Sequence, residues 1–179
     1  MDRIFIFDID GTLTPSRLQM TEKFAKFFDK WSNKNKYYLV TGSDLDKTKE
    51  QLPIAYIDRA EAIFTCCGNQ MWRDNELIYD NKFELTSKLK NALEVILMSS
   101  QYKHRYGNHI EDRGSMVNFS IVGRNCTQEQ RDEYFKYDNE KGERKIIANA
   151  IKEKFPNLSG RFAYYFFGGI LAAPEADFR

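Results

Sequence analysis

Hydrophobic residues in this chain follow two rhythms, short unbroken runs and helical stripes. Ile4-Phe5-Ile6-Phe7 is an unbroken run that leads into Asp8-Ile9-Asp10-Gly11-Thr12-Leu13-Thr14. Tyr37 to Val40 is a second run, closed by Thr41-Gly42-Ser43-Asp44, and Ala62 to Thr65 is a third. Short apolar runs rich in β-formers predict strands buried on both faces, the usual state in a parallel sheet. Between the first two runs, Phe24, Phe27, Phe28 and Trp31 recur at i, i+3, i+4 and i+7. That stripe predicts a helix over 21–34 with one face in the core. Ser43 followed by Asp46 predicts a capping box opening a helix over 44–52. Met71 to Trp72 and Leu77 to Tyr79, joined across Asp74-Asn75, predict a hairpin.

From about Phe83 the pattern changes. A helix is expected over 86–100, with Leu89, Ala92, Leu93, Ile96 and Leu97 inward. Met116 to Val122 alternates as a strand does, with Val117, Phe119 and Ile121 on one face. Thr127 and Gln130 form a capping box ahead of a helix from 128 to about 137. A helix over roughly 143–155 carries Ile146, Ile147, Ala150 and Ile151, and a strand follows over 162–167. A β-α-β-α-β beginning implies an α/β core. The expected organisation is a core over 1–82, an inserted α+β cap over 83–165, and an incomplete return to the core over 166–179.

Composition changes this picture little. Hydrophobic residues make up 42% and charged residues 30%, an ordinary globular mixture. A net charge of +1 gives no reason to expect nucleic acid or an anionic membrane as partner. Cys66, Cys67 and Cys126 are odd in number and lack metal-ligand spacing, which reads as reduced thiols in a cytoplasmic protein. The apolar run from Phe162 to Ala173 is too short to span a bilayer.

The chemistry starts at Asp8 and Asp10. Residues i and i+2 of a strand point the same way, so both carboxylates can serve one site at a strand's carboxyl end. Two close carboxylates repel unless a cation or shared proton compensates, and Mg²⁺ binds such oxygens together with substrate phosphate. Asp8 could then attack phosphorus while Asp10 carries a proton. A bare D-x-D would read as solvated or capping aspartates; the preceding apolar run and the whole of D-I-D-G-T-L-T point to catalysis. That heptapeptide resembles the first motif of the haloacid dehalogenase-like (HAD) superfamily of phosphotransferases. The resemblance implies Asp8 as the phosphorylated nucleophile, Asp10 as acid/base, and Mg²⁺ held by Asp8 and Asp10, the latter through its backbone carbonyl. It also implies a Thr or Ser at the second strand end that binds the transferring phosphoryl group, and spacing leaves Thr41 and Ser43 equal candidates.

Arginines supply the second signal. Arg17 lies seven residues after Asp10, and Arg113, Arg124 and Arg131 surround the strand expected over 116–122. Arginine suits phosphate through its planar, permanently charged fork. Taken alone, the three later ones read as solvated surface residues. Yet R-G-S-M-V-N-F-S-I-V-G-R-N-C-T-Q-E-Q-R from Arg113 to Arg131 closely resembles the cap segment of eukaryotic-type phosphomannomutases. D-G-T-L-T-P-x-R and T-G-S-D-x-x-K-x-x-E-Q-L extend the resemblance, which runs from residue 3 to about 159. It implies a Rossmann-like HAD core with a parallel sheet plus an inserted α+β cap. Arg17, Arg113, Asn118, Arg124 and Arg131 then bind sugar phosphate. The implied activity is an isomerase of mannose metabolism that leads toward GDP-mannose. It interconverts mannose 1-phosphate and mannose 6-phosphate through an aspartyl-phosphate, with hexose 1,6-bisphosphate as activator. Family members are often homodimers through the cap. The rival expectations are a sugar-phosphate phosphatase on the same scaffold and a non-catalytic sugar-phosphate-binding remnant.

The resemblance breaks at the end. Gly168-Gly169 and Pro174-Glu175 fit the family pattern, but the Ser and Asp between them, the following lysine and later metal-binding aspartates are missing. A break inside an otherwise continuous motif favours a truncated or frameshifted fragment over a form completed by a partner chain or an inactive remnant.

Overall fold

The three parallel runs become strands because each is short, apolar and closed by residues that turn the chain. In the computed structural model, which describes residues 3–15, 18–156, 163–165 and 169–172, these are β1 (Phe5–Asp8), β2 (Tyr37–Val40) and β3 (Ala62–Thr65). β2 pairs in parallel with both β1 and β3. Helix α1 (Glu22–Ser32) starts at Thr21, whose hydroxyl caps the Phe24 N–H. Its Phe28 and Trp31 pack with Phe7 and Tyr37 in an aromatic cluster, while Phe27 is exposed. After β2 come α2 (Leu45–Gln51) and a short α3 (Ile54–Asp58) that the apolar pattern did not announce. β4 (Gln70–Arg73) and β5 (Glu76–Asp80) complete the sheet in the order β1-β2-β3-β4-β5. Asp74 and Asn75 both take positive φ, the geometry of the tight turns that match hairpin twist.

Two expectations change here. The cap of α2 is Asp44, which accepts the Lys47 N–H at 2.8 Å; Ser43 lies outside the helix and its N–H donates to Thr41 Oγ1. β1 is not buried on both faces: Ile4 and Ile6 are 73% and 62% exposed. Among the described residues β1 has a strand on one side only.

This first unit ends at Asn81 and a second compact unit opens at Lys82. It contains α4 (Ser87–Ser99), β6 (Ile110–Asp112), β7 (Val117–Phe119), α5 (Gln128–Lys141), α6 (Glu143–Lys154), β8 (Ala163–Tyr165) and β9 (Gly169–Ala172). The strands form an antiparallel sheet in the order β6-β7-β9-β8. Residues 169–172, expected on a return path to the first unit, therefore pair with β7. Leu89, Leu93, Val117, Phe119, Tyr134, Ile147 and Ile151 lie in one core cluster. The Thr127–Gln130 capping box forms as the spacing requires.

β7 is shorter than the alternation over 116–122 predicts, because the Ser120 hydroxyl accepts the Gly123 N–H and turns the chain. The buried face of α6 is also shifted: Ile147, Ala148 and Ile151 are inside, whereas Ile146 and Ala150 are exposed. Paired polar groups occupy the remaining inward positions. Arg144 Nε donates to Asp138 Oδ2 at 2.6 Å, and Glu143 accepts from Ser100 at 2.7 Å and from Tyr134 at 3.2 Å. Buried polar groups with such partners can take core positions that a count of apolar residues assigns elsewhere. Together the two units form a mixed α/β fold, a Rossmann-like core sheet with an added α+β unit.

Candidate active site

Beyond β1 the chain folds into a tight loop built on one carbonyl. Ile9 O accepts the N–H groups of Leu13 and Thr14 at 3.0 Å each, and Gly11 N–H donates to Thr14 O at 2.8 Å. The loop anchors Ile9 in the core and leaves Asp8 exposed and Asp10 half-buried. Although water reaches Asp8, the protein around it strips part of its solvation and raises its carboxyl above the ordinary range. The Ile9 N–H opposes that rise and the charge of Asp10 adds to it. The two carboxylates thus sense one another at the carboxyl end of a parallel strand, where open α/β sheets bind ligands.

Asp10 is held by a residue that the motif reading passed over. Gln51 Nε2 donates to Asp10 Oδ1 at 2.9 Å and lies 3.4 Å from Thr14 Oγ1, and the Gln51 carbonyl accepts the Met20 N–H. Gln51 is the last residue of α2 and is buried. Its signal in sequence was its place in E-Q-L, at the end of the second motif. At the β2 end, Thr41 is buried and its Oγ1 accepts the Ser43 N–H at 3.0 Å, while Ser43 stays partly accessible. Ser43 O and Thr41 O in turn accept the N–H groups of Cys66 and Cys67, which follow β3 with positive φ.

Asp8 and Asp10 fit the needs of Mg²⁺, which takes one or two carboxylates and completes its shell with water and phosphate oxygen. Among the described residues no group of three or more His, Cys, Asp or Glu gathers as a self-sufficient metal site.

In the second unit, three of the arginines singled out in the sequence come together. β6 and β7 pair Glu111 directly opposite Asn118. Glu111 Oε2 then lies 2.7 Å from Arg113 Nη2, 3.1 Å from Arg124 Nε and 3.4 Å from Asn118 Nδ2. Arg131, 6% exposed on the first turns of α5, sends Nη2 to within 3.6 Å of Cys126 Sγ, and its buried Nε has no hydrogen-bond partner among the described residues. Burial lowers the pKa of Arg124 against the opposing pull of Glu111, and the nearby charges of Arg113 and Arg131 lower it further. Glu111 was not singled out in the sequence: a carboxylate in a charge-rich chain reads as solvated until strand register places it. Arg17 lies outside the described residues.

Comparison with known proteins bears on the family of the chain. The family model described as eukaryotic phosphomannomutase matches residues 24–173. The chain is 34% identical over 166 residues to a phosphomannomutase of Dendrobium officinale, covering 89% of this chain and 66% of that one. It is 33% identical over 168 residues to a phosphomannomutase of Saccharomyces cerevisiae, covering 90% and 66%. This chain thus spans just under two thirds of the length of the relatives it matches. In fold it is similar to a haloacid dehalogenase-like hydrolase from Bacteroides thetaiotaomicron, with a TM-score of 0.59 at 10% identity over 99% of this chain and 73% of the other. On the extent of these matches, the chain belongs to the eukaryotic phosphomannomutase family.

Proposed function

We propose that this chain carries the phosphoryl-transfer chemistry of a phosphomannomutase, moving phosphate between the O1 and O6 positions of a hexose. The observation that carries the reading is the placement of Asp8 at the carboxyl end of β1, with Asp10 two residues on and held by Gln51. An Asp8 oxygen attacks phosphorus and the bond from phosphorus to the sugar oxygen breaks. Asp10 gives its proton to that leaving oxygen, and later takes one from the hydroxyl that accepts the phosphoryl group. Gln51 fixes the Asp10 carboxylate for both transfers. Ser43, more accessible than Thr41, is assigned to the transferring phosphoryl group, and Thr41 holds the Ser43 amide. Mg²⁺ held by Asp8 and Asp10 would offset the negative charge gathered there.

In this reading the second unit serves as the cap. Arg113, Asn118, Arg124 and Arg131 hold the phosphate that is not reacting, and Arg17 is assigned to substrate binding. The sugar must present each end in turn, with hexose 1,6-bisphosphate as intermediate and activator, so a cap that opens and closes suits the reaction. A cytoplasmic homodimer through the cap belongs to the same proposal. Among the described residues no helix is long and apolar enough to cross a membrane. The solvent exposure of Asp8 favours one second reading, a phosphatase in which water takes the phosphoryl group from Asp8.

Phosphorus NMR of the chain with Mg²⁺, mannose 1-phosphate and a trace of glucose 1,6-bisphosphate tests both readings. The mutase produces the mannose 6-phosphate resonance and Asp8→Asn abolishes it. Inorganic phosphate in its place supports the phosphatase. Conversion that survives Asp8→Asn refutes both.

A further inference from the structure

A carboxylate in the middle of a site read as anion-binding needs a reason. Glu111 puts one negative charge among guanidiniums that are expected to attract phosphate, so on charge alone it should weaken the site. Its geometry argues the opposite. One oxygen, Oε2, meets Arg113 Nη2 at 2.7 Å, Arg113 Nε at 3.2 Å, Arg124 Nε at 3.1 Å and Asn118 Nδ2 at 3.4 Å. The Arg113 side chain is only 9% exposed, so two like charges sit close together where water cannot screen them well. Without a carboxylate between them the guanidiniums would swing apart, and long side chains held in one orientation cost less to order on binding. One carboxylate set against Arg113, Arg124 and Arg131 leaves two positive charges, the complement of a phosphate monoester dianion.

We propose that Glu111 is a positioning residue that gathers Arg113, Arg124 and Asn118 into a preorganised fork for the phosphate of a sugar phosphate. The proposal rests on the reading of these arginines as the phosphate site. The fork leaves Arg131 Nε as a donor still to be satisfied, so a phosphate oxygen bridging Arg124 and Arg131 would complete the arrangement.

Two substitutions separate positioning from charge. Glu111→Gln keeps the shape and adds one unit of positive charge, so simple electrostatics expects tighter phosphate binding; positioning expects looser binding. Glu111→Asp keeps the charge but retracts the carboxylate by one methylene, so charge expects no change and positioning again expects a loss. Calorimetry of the whole chain with mannose 1-phosphate, in an Asp8→Asn background to prevent turnover, should show weakening of about tenfold for Glu111→Gln, and less for Glu111→Asp. Equal or tighter binding by both variants overturns the proposal. Nitrogen-15 NMR of the arginine Nε–H groups provides a readout that needs no ligand. The Arg113 and Arg124 signals should be sharp and resolved in the parent chain and broadened in Glu111→Gln; unchanged signals also overturn it. Arg124→Ala keeps the two ideas apart. If that variant binds as well as the parent chain, the phosphate assignment is wrong whatever Glu111 does to the arginines.

Discussion

At the scale of single residues, Glu111 can also be followed by pH. Burial acts to raise its carboxyl, but the charge and hydrogen bonds of Arg113, then Arg124 and Asn118, outweigh it, so the folded-state pKa lies below the ordinary 4.5. A depressed carboxyl contributes stability that is fully present above the unfolded pKa and is lost as pH falls through the folded one. The melting temperature of the parent chain should therefore exceed that of Glu111→Gln at pH 7, and the gap should close as pH falls below 4.5. A gap that stays constant down to pH 3 would mean that the ion pairs contribute nothing to the folded state. Residues at this scale were legible in sequence only where a motif names them. Asp8 and Asp10 stand at the end of an apolar run and announce themselves. Glu111 and Gln51 do not, because each acquires its role from the fold: Glu111 from the strand register that sets it opposite Asn118, and Gln51 from Asp10, forty-one positions away.

At the scale of elements, local patterns were most reliable where one residue decides the outcome. Thr21, Thr86 and Thr127 each cap the helix expected after them, because a hydroxyl three residues before a free N–H satisfies it regardless of the rest of the fold. The inward face of α6 and the end of β7 were less legible, because buried ion pairs and a side-chain turn override the apolar rhythm there. Two glycines show how much the surroundings add. Gly142, at φ +64 between α5 and α6, has nothing within 4 Å of a would-be Cβ. Gly142→Ala should cost only the left-handed backbone penalty, roughly 1 kcal/mol, or about 2–4 °C in melting temperature. Gly123, at φ +91, would drive a Cβ into the Tyr106 carbonyl oxygen, which already accepts the Asn125 N–H. Gly123→Ala must move that backbone and should cost roughly 3 kcal/mol or more. It should also disturb Arg124, the next residue, so calorimetric melting and mannose 1-phosphate affinity should fall together for Gly123→Ala and not for Gly142→Ala.

At the scale of the whole molecule, the expectation that failed is the informative one. The run Ile4 to Phe7 has the composition of a strand covered on both faces, and the family's α/β architecture leads to the same expectation. In this chain one face is covered by the aromatic cluster of α1, while Ile4 and Ile6 on the other remain open to solvent. Composition records what a strand is suited to, and cannot tell which layers a given chain supplies. Among the described residues β1 has a strand on one side only, and exposed apolar strand edges pair with further copies. The chain should therefore self-associate as its concentration rises, with a mass distribution that broadens beyond any defined dimer. Ile6→Lys places a charge on the open face at the edge and should restore a narrow distribution in sedimentation velocity, with little loss of melting temperature, because Ile6 is 62% exposed. A distribution unchanged by Ile6→Lys would move the association away from β1. If the species that persists is a discrete dimer, the second unit becomes the place to look for its interface.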